Sequence, residues 1–229
     1  MMKKTAIILF AHLPDFEARV KSFSGFSSKK ATQKVSRVLT QHFYQLTKQT
    51  NADSFLIDSY HQKGKSFGER ITNAFADVYA KGYENVICIG NDCPELDLTQ
   101  LQTAVNTVEK GNIVLGPTID GGSYLMGIPK SEFNKKDFIG VKWQSSKTYQ
   151  NLLKSFDQSL ITELQILSDI DSEKDLDKYQ NRNKLVSILI HLIAQFNYRL
   201  LSSKSCIYIP QTIFRNNLFR GPPTPASSF

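Results

Sequence analysis

Hydrophobic positions in this chain follow two spacings, and the switches between them mark out its elements. Thr5–Ala11 is a nearly unbroken apolar run, the pattern of a strand covered on both faces. Similar runs at Phe55–Asp58, Val86–Ile89, Asn112–Gly116, Ser123–Ile128 and Leu160–Leu167 predict five more strands. Between them the spacing lengthens to three and four. Val35, Val38, Leu39, Phe43 and Leu46 predict a helix over Thr32–Lys48. Phe67, Ile71, Phe75 and Val78 predict another, opened by the capping box Ser66-Phe67-Gly68-Glu69. Leu98, Leu101, Val105 and Val108 predict a third, with Asp97 as its N-cap and Gly111 past its end. Ser145 or Ser146 is placed to cap a helix running to about Phe156, and Ser172-Glu173-Lys174-Asp175-Leu176 opens a further one. The segment after Ala11 reads as a polar connection carrying Arg19, Lys21, Lys29 and Lys30.

Candidate chemistry collects where the strand runs stop. Val86–Ile89 ends at Gly90-Asn91-Asp92-Cys93-Pro94, and Pro94 forbids a helix there, so Asp92 is expected on a stiff turn. Ligands of α/β sheets bind at this carboxyl edge. Taken alone, an aspartate in such a turn more often caps its own backbone. The loop Asp120-Gly121-Gly122 follows the next strand and puts a second acidic group at the same edge, with glycines that let a ligand approach the backbone. Asp169 and Asp171 follow the last strand run. Oxygen ligands in that number suit Mg²⁺ or Mn²⁺. Arg19 and Lys21, after the first strand, read either as solvated surface or as phosphate-neutralising groups. The chain has no P-loop, no G-x-G-x-x-G after a strand and no G-x-S-x-G elbow.

Charge changes the picture at one end only. Of 28 basic residues, seven lie after Asp177, where there is no acidic residue; the rest of the chain carries 21 of each sign. The body is therefore neutral, and nucleic acid is not an expected partner. Cys88, Cys93 and Cys206 form no C-x-x-C pair, which fits reduced thiols and a cytoplasmic location. The short apolar start is expected to be a core strand, and no apolar run reaches the length of a membrane span.

Several of these stretches resemble a known family. Gly90-Asn91-Asp92-Cys93-Pro94, Leu115-Gly116-Pro117 with Asp120-Gly121-Gly122 and Tyr124-Leu125-Met126-Gly127, and Asp169-Ile170-Asp171-Ser172 resemble the bacterial GT-A-like transferases of the nucleotide-diphospho-sugar transferase superfamily. Phe67-Gly68-Glu69-Arg70 is similar to the L-G-E-R element, and Trp143 with Ser145 to the W-S-T element, of the glycosyltransferases associated with arsenosugar biosynthesis. The resemblance covers about residues 5–180 and departs at the start, where His12 replaces a lysine, a glycine is missing, and Val20-Lys21 is followed by Ser22-Phe23. It implies a Rossmann-like GT-A fold, a mostly parallel sheet with helices on both faces. It also implies a transferase domain over residues 1–181 that uses a nucleotide-sugar donor and an unidentified acceptor. By the same resemblance, Asp92 and Asp171 are the metal ligands for Mg²⁺ or Mn²⁺. Asp92 and Asp120 are the catalytic carboxylates, with Asp120 a base. Lys21, with Arg19 or Lys29, meets the phosphates. Phe10, Ala11 and Pro14 frame the base, Asp120, Gly121 and Gly122 line the sugar or acceptor side, and Trp143 is a further substrate-binding residue. A nucleotidyltransferase acting on a sugar phosphate or phospho-acid is the alternative, since Asp92-Cys93-Pro94 has the D-x-P form; a non-catalytic nucleotide-binding relative is a third reading.

Residues 182–229 are expected to form a helical C-terminal extension. Leu185–Phe196 reads as a helix apolar nearly all round, which needs partners on several sides. Packing on the chain's own body, a homodimer contact, and peripheral docking on an anionic membrane are the three readings, with the dimer as the working expectation.

Overall fold

The computed structural model describes residues 5–21, 23, 29–179 and 183–204, the last eight of them as backbone alone. Six strands form one sheet: β1 (Thr5–Phe10), β2 (Asp53–Ile57), β3 (Asn85–Ile89), β4 (Ile113–Pro117), β5 (Ser123–Pro129) and β6 (Ile161–Glu163). Their order is β2-β1-β3-β5-β4-β6. β5 runs antiparallel to both of its neighbours, and every other pair is parallel. The mostly parallel α/β sheet expected from the sequence is present, with one reversed strand in its interior.

Both faces of the sheet are covered. Ile7, Leu9, Ile87, Ile89 and Val114 face one core, with helices α2 (Lys29–Thr47) and α4 (Leu98–Glu109). Ala6, Ile8, Val86, Cys88 and Leu115 face the other, with α3 (Phe67–Ala80), α5 (Lys135–Gly140) and α6 (Thr148–Lys154). Successive strand residues point to opposite faces, so two cores require strands that are apolar at every position. That is why the runs of the inner strands β1, β3, β4 and β5 show no alternation, while the edge strands β2 and β6 are only partly buried.

The capping box at Ser66 and the N-cap at Asp97 form as expected. The Ser66 hydroxyl accepts from the Glu69 amide at 3.1 Å, and the Asp97 carboxylate accepts from the Gln100 amide at 2.9 Å. Four local expectations need correction. The connection after β1 contains a helix, α1 (Pro14–Val20). Its Pro14 begins the helix, Asp15 and Glu17 lie in the first turn and Arg19 in the last, an arrangement that complements the helix dipole. The polar stretch before Trp143 holds α5, capped by Asn134. The helix α6 starts at Thr148 and has no side-chain cap; the Ser145 hydroxyl instead donates to the Lys142 carbonyl within the preceding loop. Finally, β6 covers only the start of the run Leu160–Leu167, which rejoins β4 at an isolated bridge between Leu167 and Thr118.

After α7 (Glu173–Asp177), the helix α8 (Lys184–Lys204) packs against α2 and buries Leu185, Val186, Leu189 and Ile193 in the first core. Ile188 remains about half exposed. The expected apolar helix is there, and one of its faces is covered by the chain's own body. No described helix is long and apolar enough to cross a membrane. The apolar and basic positions after Lys204 lie outside the described residues.

Candidate active site

The carboxyl edge of the sheet opens into one groove with two halves. The first, about 350 Å³, lies over the ends of β1 and β3 and is lined by Phe10, Ala11, Lys21, Gly90 and Asn91 among others. The second, about 370 Å³, lies over the β4–β5 loop and is lined by Thr118, Asp120, Gly122, Trp143 and Asp169 among others. Phe67, Asp92, Ser123, Tyr124, Met126 and Gln144 line both, so Asp92 stands at the junction.

At that junction a single ammonium gathers the acidic groups. Lys21, at the C-terminus of α1, places its Nζ 2.8 Å from Asp171 Oδ1, 3.3 Å from Asp92 Oδ2 and 3.4 Å from Glu17 Oε1. It also donates to the Ile170 carbonyl at 3.2 Å. The Lys21 side chain is 14% exposed and that of Glu17 is 7%. Burial alone would lower the lysine pKa, but the charges of Asp92, Glu17 and Asp171 outweigh it and raise the pKa well above its usual value. Two backbone links fix this geometry. The Lys21 amide donates to the Glu17 carbonyl at 2.9 Å, which sets the two side chains one helical turn apart. The Ile170 amide donates to the Asp92 carbonyl, also at 2.9 Å, which ties the loop after β6 to the loop after β3.

The two turn aspartates behave differently. The Asp92 carboxylate accepts from Lys21 and from the Cys93 thiol, so it serves the groove. Asp120 accepts through Oδ1 from the Thr118 hydroxyl and, at 3.0 Å, from the Gly122 amide, so it closes its own loop while lining the second half. Asp169 lines the second half with both of them. Burial, then the negative charges of Asp120, Asp92 and Asp171, push its carboxyl up to about 6.

The far wall is built from two glycine contacts. A Cβ on Gly68 would sit 2.6 Å from Trp143 Cδ1, and the indole donates to the Phe138 carbonyl at 2.9 Å. Gly121 has φ +90°, and a Cβ there would collide with the Ser146 carbonyl. These contacts press the Trp143–Ser146 segment onto α3 and onto the β4–β5 loop. Gln144, within that segment, holds φ 54° and faces both halves of the groove.

The structure thus brings Phe10, Ala11, Lys21, Asp92, Asp120, Gly122, Trp143 and Asp171 together along one edge, whereas Gly121 lines neither half and packs against the Ser146 backbone. Arg19 does not join them: it is exposed and stacks over Phe16, with 4.9 Å from Cζ to the ring centroid. Pro14 lines a separate cavity between α2 and the ends of β1 and β2. Lys29 is exposed at the start of α2. Glu17, Tyr124 and Gln144 are groove residues that sequence reasoning missed. Glu17 had a signal, its i,i+4 spacing from Lys21; Gln144 had none.

The donor set suits a divalent cation by charge. Lys21 is the only ammonium in contact with Asp92, Asp171 and Glu17 among the described residues, so three carboxylates share one cation. The site is not preassembled, since no three His, Cys, Asp or Glu side chains among the described residues are disposed around an ion. The Lys21 ammonium lies between Asp92 and Asp171.

Comparison with known proteins identifies the fold. No curated protein matches the chain. A structure from Desulfovibrio desulfuricans G20, provisionally assigned as a nucleotide-diphospho-sugar transferase, superposes with a TM-score of 0.70 at 22% identity, covering 85% of this chain and 99% of that one. That similarity establishes a shared fold. Two weaker similarities are to 4-diphosphocytidyl-2C-methyl-D-erythritol synthase from Anaerococcus prevotii DSM 20548 (TM-score 0.42, 9% identity, 85% of this chain and 96% of that one) and to the manganese complex of Rv0371C from Mycobacterium tuberculosis H37Rv (TM-score 0.41, 11% identity, 78% and 98%). Residues 29–145, just over half of the chain and spanning α2 to the Trp143 loop, match the family described as uncharacterized protein conserved in bacteria, and the chain belongs to that family, DUF2064.

Proposed function

We propose that this chain is a glycosyltransferase that takes its sugar from a nucleotide-diphospho-sugar donor. The observation that carries this reading is the buried ammonium of Lys21 at the junction of a two-part groove, beside Asp92 and Asp171. The first half takes the nucleotide, with Phe10 and Ala11 against the base. Lys21 neutralises the diphosphate, and the second half takes the sugar and the acceptor. Asp92 and Asp171 would hold Mg²⁺ or Mn²⁺ only with the Lys21 ammonium released from between them, and the ion when bound would supply positive charge to the leaving diphosphate.

In the transfer, an acceptor hydroxyl oxygen bonds to the anomeric carbon. The bond from that carbon to the diphosphate oxygen breaks, and the nucleoside diphosphate leaves with the electron pair. The hydroxyl proton passes to a carboxylate. Asp120 lines the acceptor side and uses only Oδ1 in its loop, which leaves Oδ2 for this role. Residues 1–181 form the transferase unit, and residues 182–229 extend it. Within the superfamily, the contact between Gly68 and Trp143 joins the two elements that resemble the arsenosugar-associated branch, and it favours that branch.

The D-x-P form of Asp92-Cys93-Pro94 favours a second reading, nucleotidyl transfer. Product analysis separates the two. Incubation with a panel of nucleotide-sugars and acceptors should release free nucleoside diphosphate. Pyrophosphate formed from a nucleoside triphosphate and a sugar phosphate would establish the second reading instead.

A further inference from the structure

The two halves of the groove differ in charge. The first half has the cationic Lys21 and the titratable His12 in its lining, alongside Glu17 and Asp92. The second half has 14 described lining residues, of which Asp92, Asp120 and Asp169 are acidic and none is Lys, Arg or His. Its other polar groups include the hydroxyls of Thr118, Ser123, Tyr124, Ser145, Ser146 and Thr148. Its apolar surface includes the rings of Phe67 and Trp143, whose centroids are 5.6 Å apart.

We propose that the second half selects an uncharged or amine-bearing polyhydroxylated acceptor and rejects phosphorylated ones. This selectivity rests on the glycosyltransferase reading and names the substrate class of that same groove. Carboxylates and hydroxyls accept hydrogen bonds from sugar hydroxyls, and ring faces cover the apolar face of a sugar. A phosphate monoester is anionic at neutral pH and is recognised through Arg or Lys donors. Here it would meet carboxylates with no cation in the described lining to pair with it, and like charges brought together in a groove disfavour binding.

The chain carries its own reporter, because Trp143 is its single tryptophan and lines this half. The test uses the full chain loaded with a nucleoside diphosphate that raises its melting temperature. In the first measurement, Trp143 fluorescence is quenched by caesium and by iodide. With each quencher normalised to its effect on free tryptophan amide, caesium should be the better by roughly threefold or more, because the local field of the groove sets the ion concentration there. That preference runs against the net charge of +7 on the whole protein. The advantage should shrink in Asp120→Asn/Asp169→Asn, which keeps the acceptor atom that Asp120 gives its loop. A normalised iodide quenching as strong as that of caesium would overturn the proposal. In the second, Trp143 fluorescence follows titration with free hexoses and pentoses, their amino forms and their phosphates. Free or amino sugars should bind about tenfold more tightly than the matching phosphates. A phosphate that binds as tightly as its free sugar, or a panel in which no free or amino sugar perturbs Trp143, would overturn it. Failure of every nucleoside diphosphate to stabilise the chain would instead remove the transferase reading, so the two failures are distinct.

Discussion

Lys21 is the residue on which the site turns, and its substitution separates structure from function. Lys21→Met leaves Glu17 buried without its cation, while Asp92 and Asp171 keep access to solvent, at 35% and 60% side-chain exposure. Breaking a buried ion pair from one side costs about 3–5 kcal/mol, and the partial exposure here reduces that to roughly 2–3 kcal/mol. Glu17→Gln in the same background should restore about half of the loss, since it removes the orphaned charge. Denaturant melts of the parent, both single variants and the double variant give the answer; additive losses would show that the two groups are not coupled. Asp169 provides the pH dependence. Its folded-state pKa, about 6, lies above the ordinary 3.8, so the fold prefers the protonated carboxyl. The associated stability is full below the ordinary value and is lost as the pH rises through about 6. Asp169→Asn, neutral throughout, should therefore melt higher than the parent at neutral pH, and the two should melt alike in acid below the ordinary carboxyl pKa. A parent and variant that melt alike at neutral pH as well would contradict the burial and charge crowding assigned to Asp169.

At the scale of elements, the four inner strands were legible because burial on both faces leaves a continuous apolar run, and each of the six runs overlaps a strand. The reversal of β5 was not legible, because direction depends on which neighbours a strand pairs with and not on its own residues. The short helices α1 and α5 were hidden for a different reason. They run seven and six residues, too short for a full apolar period, and their signals are capping and dipole signals. This mattered for the site, since α1 sets Glu17 beside Lys21. The acidic turns were legible as positions on one edge, but their separate roles were not, because a turn aspartate has the same sequence context whether it faces a ligand or its own loop. The wall built by Gly121 is testable. Gly121→Ala meets both a positive φ and the Ser146 carbonyl, so it should cost on the order of 3 kcal/mol and loosen the Trp143 segment. Chemical denaturation with Trp143 emission as the probe would show both effects; an unchanged midpoint would mean that the loop yields freely.

For the whole molecule, the packing of α8 on α2 decides what removal of the extension should do. Truncation after Asn181 deletes Leu185, Val186, Leu189 and Ile193 from the first core. The truncated chain should therefore lose stability, whatever becomes of the homodimer expected from the sequence, and a melting temperature equal to that of the full chain would show that α8 is not part of the core. The groove is a different matter. It lies at the carboxyl edge and depends on the loops after β1, β3, β4 and β6 meeting there. If that edge binds a nucleoside diphosphate through Lys21, calorimetric titration of the full chain with nucleoside diphosphates and Mn²⁺, alongside Lys21→Met, exposes it most directly. At least one nucleoside diphosphate should bind the parent, with affinity falling about tenfold or more in the folded variant. Binding that is equal in the two proteins, or absent for every nucleoside diphosphate, would contradict it.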